Sequence, residues 1–469
     1  MFKTLLIKEI REIIGSSKFI FLFSVSSVLI LSAFFMGAKN FQLSQTQYEA
    51  ATKENFRKME GITDWSRMEP QIFLPPKPLA SLVSGVSNDI GRLVAMNGAS
   101  ELIPDNTRYG EDPIYAAFRF MDLDFIFQII LSLFAILLAY NAVNGEKEQG
   151  TLKLTFANPV PKDVYILAKL TGSFTAIALP MLVPMLIGCF LLLIMGIPLS
   201  QNEWVCLALI LISGLLYFSI FLNLSIYVSS KVEKSANAFL FLLIAWIFLV
   251  LIIPRTAVLI TGRTIEVPSV DEINSQKYRF QSQLWSEHFQ QMSTFKPTES
   301  EPDKIFTEFN QFMGKLNDER EKKGNEFNER LNEDRRNRQD VQRRWSFVLA
   351  RISPASVYSF CATNLAGTSN GLADRFLNAV KEYKSTFSNF IQSKTGRKPS
   401  GFRMVVRTDD DENAKPKPIN PHELPVFEML PQSLSETVST VLMDFGHLAL
   451  FNLVFFAAAV FSFQRFDVR

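Results

Sequence analysis

Leu170–Ile194 reads L-T-G-S-F-T-A-I-A-L-P-M-L-V-P-M-L-I-G-C-F-L-L-L-I, without one charged side chain. A helix needs roughly 20 apolar residues to cross the hydrocarbon core of a bilayer. Lipid offers the backbone no partner but its own chain, so so long a run must be helical. Five further runs lie on either side: Phe19–Ala38, Phe125–Val143, Trp204–Val228, Ala236–Ile253 and Leu442–Phe463. A soluble core holds one or two such runs, not six. Phe is abundant, with 43 copies against 5 Trp and 10 Tyr, and its ring has no polar atom to satisfy in lipid. The fold class is therefore an all-α membrane protein with six transmembrane helices.

Lys and Arg in the short connections set the expected orientation. Lys3, Lys8, Arg11 and Lys18 precede the first span. Lys147, Lys153, Lys162 and Lys169 lie between the second and third, Lys231 and Lys234 between the fourth and fifth, and Arg465 and Arg469 follow the sixth. Ile197–Glu203, between the third and fourth, has no basic residue. This predicts both termini in the cytoplasm and places the long segments 39–124 and 254–441 outside, where long loops escape the charge rule. The first run lacks an A-x-A-like site and reads as a retained helix. The net charge of +2 shows no field for nucleic acid, and Cys189, Cys206 and Cys361 suggest no disulfide framework.

Asn141, Asn223, Asn237 and Asn452 are neutral polar residues suited to bonding across helices. Asp444 and His447 fall near the outer end of the last span, where the carboxylate is expected to reach water. Pro180 and Pro184 are expected to kink the third span. Segment 39–124 reads as a small mixed domain, helical at Gln42–Met59 and carrying Pro70, Pro75, Pro76, Pro78, Pro104 and Pro113. In segment 254–441, Ile305, Phe309, Phe312, Leu316, Phe327, Leu331, Val341, Trp345, Val348 and Ile352 keep helical spacing in a highly charged stretch. Ser353–Pro354 should break that helix. Asp374–Phe390 reads as helix again, and residues 398–432, with the acidic run Asp409–Glu412, as a linker.

No G-x-x-x-x-G-K-[ST], C-x-x-C, H-E-x-x-H or G-x-S-x-G frame occurs, so an enzyme is a poor reading. The functional signal lies between spans two and three. It reads Asn144-Gly145-Glu146-Lys147-Glu148-Gln149-Gly150-Thr151-Leu152-Lys153, then Asn158-Pro159-Val160-Pro161-Lys162, then Leu167-Ala168-Lys169-Leu170. This is a short charged helix, a Gly stop and a Pro turn into the next span. A lipid-facing loop would favour basic residues alone. Two carboxylates at i and i+2 facing the cytoplasm suggest a protein partner.

Glu146, Glu148, Gly150, Thr151, Leu152, Pro159, Val160, Lys162 and Lys169 resemble the E-x-E-x-G-T-L, P-V-[SP]-[RK] and [GA]-K elements of ABC-2-type exporter permeases. Pro161 stands where many members have Ser. Lys8-Glu9-Ile10-Arg11-Glu12 before a Phe-rich span is also similar to the family. The resemblance is to permeases of the nitrous-oxide-reductase-maturation and gliding-motility type, including a subgroup with a large domain before the last span. It implies a six-helix, type V exporter-like architecture in a bacterial inner membrane. Residues 1–18 would form an amphipathic elbow helix on the membrane surface, with Leu5, Leu6, Ile10, Ile13 and Ile14 apolar and Lys8, Glu9, Arg11 and Glu12 polar. Residues 144–169 would hold the coupling helix, Glu146–Leu152, which docks on a separate cytoplasmic ABC ATPase subunit. ATP and Mg would be bound there, and no cofactor by this chain. A second copy or a related permease, membrane lipid and an extracytoplasmic envelope protein complete the implied partners.

Two other classes stay open. One is a mechanotransmitter that moves its external helical domain on an envelope partner while nothing crosses. The other is an ion-coupled carrier, which needs midplane charges or internal repeats that the spans do not show.

Overall fold

The computed structural model describes residues 1–65, 68–87, 90–96, 122–298, 302–395 and 419–465. Pro104, Pro113, the Asp409–Glu412 run and Arg469 lie outside them. The described chain is almost wholly helical. A short amphipathic helix, α1 (Phe2–Ile14), precedes α2 (Ser17–Met59), whose start is capped by Ser16. A two-stranded antiparallel pair follows, β1 (Gln71–Phe73) with β2 (Leu93–Ala95). Next come α3 (Leu123–Glu148), α4 (Thr151–Phe156), α5 (Lys162–Ile194), α6 (Gln201–Lys231) and α7 (Ser235–Thr264). The chain continues with α8 (Val270–Met292), α9 (Pro302–Ala350), α10 (Pro354–Leu365), α11 (Gly371–Thr395) and α12 (Leu434–Gln464).

Six of these helices, α2, α3, α5, α6, α7 and α12, are long and apolar enough to span a bilayer. Each contains one of the six runs read from the sequence. α5 remains helical through Pro180 and Pro184. α3 and α7 each carry a π-helical turn, at Ile126–Leu131 and Ile247–Ile252. Asn452 joins α12 to α6, accepting from Asn223 at 3.1 Å and donating to the Leu216 carbonyl at 2.9 Å. α3 and α6 approach closely at Gly214, where an added Cβ would stand 2.4 Å from Phe127 Cε1. Phe127 is fully buried and cannot swing away. Gly214→Ala is expected to lower stability by about 1–3 kcal/mol through overpacking. Thermal unfolding in detergent should show this loss, while Gly446→Ala, which meets nothing within 4 Å, leaves the transition in place.

Three sequence-based boundaries shift. First, α2 does not stop at Ala38, because Lys39–Gln42 carries no helix breaker, and Gln42–Met59 is its continuation. Second, 254–441 is not one body. The chain forms two compact units, one of Met1–Pro254 with Arg351–Pro399 and Pro416–Arg469, the other built on Arg255–Ala350. In the second, α8 and α9 form an antiparallel hairpin, with Phe280 stacked on Phe327 at 4.0 Å and Arg320 over the Trp285 ring at 3.8 Å.

Third, α10 belongs to the membrane bundle. Its sequence, P-A-S-V-Y-S-F-C-A-T-N-L, has no charge. Ser353 caps it, as the predicted Ser353–Pro354 break allows, and also donates to the Leu249 carbonyl of α7. Tyr358 is fully buried, stacked on Tyr217 of α6 with ring centres 5.1 Å apart. Ser359 donates to Asp124 of α3 at 2.8 Å. Asp444 is likewise not at the water boundary. It is fully buried and holds Arg351 Nε at 2.9 Å, because the chain entering α10 brings that arginine to α12.

Candidate functional site

The segment between α3 and α5 is built from its local sequence. α3 turns at residues 140–143 and resumes as Asn144–Glu148. Gly150 then takes φ +74°, a left-handed conformation that side chains disfavour, and starts α4. Thr151 donates back to the Glu146 carbonyl at 3.2 Å. Leu152 is buried against the bundle. Pro159 and Pro161 turn the chain into α5, where Lys162 reaches the Gln464 carbonyl of α12 at 3.4 Å.

Glu146 does not face outward as the sequence suggested. It is 6% exposed and stands at the centre of a charged cluster. Lys8 of α1 donates to its Oε1 at 2.8 Å, Lys169 of α5 lies 3.1 Å from that oxygen, and the Tyr165 hydroxyl donates to Oε2 at 2.6 Å. Lys169 also donates to Oε2 of Glu9 at 2.8 Å, and Ser173 reaches Oε1 of Glu9 at 3.4 Å. Glu9 too is buried, although it sits on the elbow helix. Gly172 makes room for it, since a Cβ there would stand 2.9 Å from Glu9 Cβ. Two buried carboxylates and two ammonium groups thus balance, and each finds a partner, as burial of charge requires. Glu12 joins the rim, 3.7 Å from Lys8, while Arg11 is exposed. Oxygens of Glu9, Glu12 and Glu146 lie within 4.8 Å of one another, but Lys8 and Lys169 already supply the countercharge there.

Glu148 is exposed and acts at the start of α7. The Ser235 N–H and hydroxyl donate to its two oxygens, each at 2.8 Å. Ser229 of α6 accepts from the Val143 and Asn144 N–H groups at 3.0 and 3.2 Å and donates to the Asn144 side chain at 3.0 Å. The segment is therefore fastened to α1, α5, α6 and α7. What it leaves free is the outer side of α4 and the following turn. Leu154 is 70% exposed, with Lys153, Ala157, Asn158 and Pro159 beside it. The sequence reading passed over Leu154. An apolar residue beside the buried Leu152, on a helix of six residues, was the available signal.

The family model for ABC-2 family transporter proteins matches residues 3–468. The chain belongs to the ABC-2 family. Six helices long and apolar enough to cross a membrane fit a multi-pass membrane protein of that family. A curated relative, the probable ABC transporter permease protein NosY of Stutzerimonas stutzeri, is 32% identical over 127 residues. The match covers 26% of this ABC-2 chain and 45% of that relative, less than half of its length.

Proposed function

We propose that this subunit pairs with a second copy or a related permease, and that two ATPase subunits dock on the α4 side and drive export of a substrate. ATP and Mg belong to those partners. The membrane is the bacterial inner membrane, with both termini cytoplasmic and the β1–β2 segment and α8–α9 hairpin outside, in keeping with the basic residues at the α4 end. The observation that carries this reading is the charged cluster in which buried Glu9, Glu146 and Lys169 are joined by Lys8 at the rim. It makes the elbow helix, the coupling segment and α5 one rigid piece, so a push on α4 reaches three elements together. Closed two-fold pairing is the common arrangement for like subunits.

A second reading is favoured by α8–α9, a 49-residue helix and its partner in a unit of their own. At about 1.5 Å per residue, α9 extends about 70 Å. An ATP-driven rearrangement would then act through that hairpin on an envelope partner with nothing transported. An ion-coupled carrier would rest on Asp444, and that carboxylate is already tied to Arg351.

The test is co-expression with a candidate ABC ATPase subunit from the same genome, followed by purification in nanodiscs. Co-elution with stimulated ATP hydrolysis is the expected result. Separate elution and an ATPase rate indifferent to this subunit would overturn it. Substrate flux into sealed vesicles then separates export from motion alone.

A further inference from the structure

α7 runs for 30 residues, Ser235–Thr264, which is longer than a bilayer core requires. At about 1.5 Å per residue it measures about 45 Å, against a hydrocarbon core of about 30 Å. Lys234 caps its near end, so the core is used up about 20 residues on, at Arg255. Val258, Leu259 and Ile260 then fall about 5–8 Å beyond, at the depth of the headgroups. All three are exposed, while Ala257 and Thr261 of the same stretch are buried. The Thr261 and Ser346 hydroxyls share a hydrogen bond, and Gln342 Nε2 donates to the Ile265 carbonyl at 3.0 Å. This register is antiparallel, so Val348 of α9 comes to the level of Leu259 and Trp345 stands just farther out. Trp345 is 56% exposed, and Val341 and Val348 on the same face of α9 are exposed with it. All of these residues belong to the Arg255–Ala350 unit.

Six exposed apolar side chains on two adjoining helices form a patch that water covers poorly. The charges around the patch point to what covers it. Arg255 and Arg263 lie four residues to either side of Leu259, and Arg344 lies at helical spacing between Val341 and Val348. All three are exposed, and among the described residues none is in an ion pair. Residues 255–266 and 335–350 hold seven arginines, no lysine and two acids, Glu266 and Asp340, of which Asp340 is taken by Arg343. Residues 302–334, farther along α9, hold nine acids against six basic residues. Positive charge is thus gathered at the root of the hairpin. A second copy would set these arginines against their own kind, and the core of a protein interface is depleted of charge. An anionic phospholipid surface fits both features, since Trp settles among headgroups and the Arg fork matches phosphate oxygens.

We propose that the root of the α8–α9 hairpin, Val258–Ile260 with Trp345 and Val348, sits in the headgroup layer of the leaflet on its side and gathers anionic phospholipid through Arg255, Arg263 and Arg344. The reading requires only that α7 span a bilayer, so it stands whether or not an ATPase docks on α4. The full chain is reconstituted in phosphatidylcholine nanodiscs with rising fractions of phosphatidylglycerol brominated high on its acyl chains. The Trp345 signal is the fluorescence of wild type minus that of W345F. Bromolipid should quench this signal. Half-quenching in wild type should need about fivefold less phosphatidylglycerol, or better, than in R255Q/R263Q/R344Q, whose signal is taken against the same variant with W345F. A signal untouched by bromolipid overturns the placement: open to acrylamide, Trp345 lies in water, and closed to acrylamide, it lies under protein. Brominated phosphatidylcholine is then tested at the same fractions in wild type. Weaker quenching than by brominated phosphatidylglycerol is expected. Equal quenching by the two lipids overturns the preference for anionic headgroups, and that comparison does not depend on the triple variant folding.

Discussion

Lys169→Met is expected to destabilise the protein by roughly 3–5 kcal/mol, the loss typical when one partner of a buried ion pair is removed. Methionine matches the length of the lysine stem, so lost volume is not the cause. The cause is the group left behind. Glu146 keeps Lys8 at 2.8 Å and Tyr165 at 2.6 Å. Among the described residues, Glu9 keeps only Ser173 at 3.4 Å, with its side chain 7% exposed. It becomes a buried carboxylate with no countercharge. The prediction is therefore specific: adding Glu9→Gln to Lys169→Met should recover much of the loss, because a neutral amide is cheaper to bury there. Glu146→Gln in the same background should recover less. Thermal unfolding in detergent distinguishes these outcomes. A Lys169→Met protein that unfolds at the wild-type temperature would show that the cluster does not hold the elbow helix. The same variant should also lose stimulation of the partner ATPase, since α1 and the coupling segment no longer move as one.

The spans were legible because lipid imposes a single rule on every residue of a long run: no charge and self-satisfied backbone. Six runs obeyed it, and six helices stand on them. The break at Ser353–Pro354 was equally legible, since a serine cap and a proline at the first helical position are local chemistry. Where α10 goes after that break was not. Twelve residues are too few to signal insertion, and their burial depends on Tyr217 and Phe127, more than a hundred residues away in sequence. The charged cluster was hidden for the same reason. Glu9 and Glu146 sit among other charges and Lys169 at the head of an apolar run, and no pattern within one helix tells a solvated carboxylate from one that a distant lysine will meet. Glu146 and Glu148, two residues apart, end in opposite surroundings, one buried among lysines and the other capping α7 in the open. The motif therefore marks a segment without showing which of its residues remain free to meet a partner.

Leu154→Asp is expected to weaken ATPase binding by about 30- to 1,000-fold, as loss of an interface anchor worth roughly 2–4 kcal/mol implies. The residue is 70% exposed on α4, the one large apolar side chain on the free outer side of the segment among the described residues. Leu152 is buried, Glu146 is enclosed, and Glu148 holds Ser235. An anchor must be apolar, central and free, and Leu154 meets those conditions with Ala157 and Pro159 beside it. Because the side chain touches little in this subunit, its replacement should leave thermal unfolding within about 0.5 kcal/mol of wild type. That separates it from the cluster: Lys169→Met should lose stability and coupling together, Leu154→Asp coupling alone. Co-purification and ATPase stimulation in nanodiscs read the difference. Should Leu154→Asp hold the ATPase as tightly as wild type, the docking surface is not α4. Should it lose the ATPase yet unfold normally, the acids of the segment are fasteners, and the contact that receives the ATP-driven push is the short apolar helix behind them.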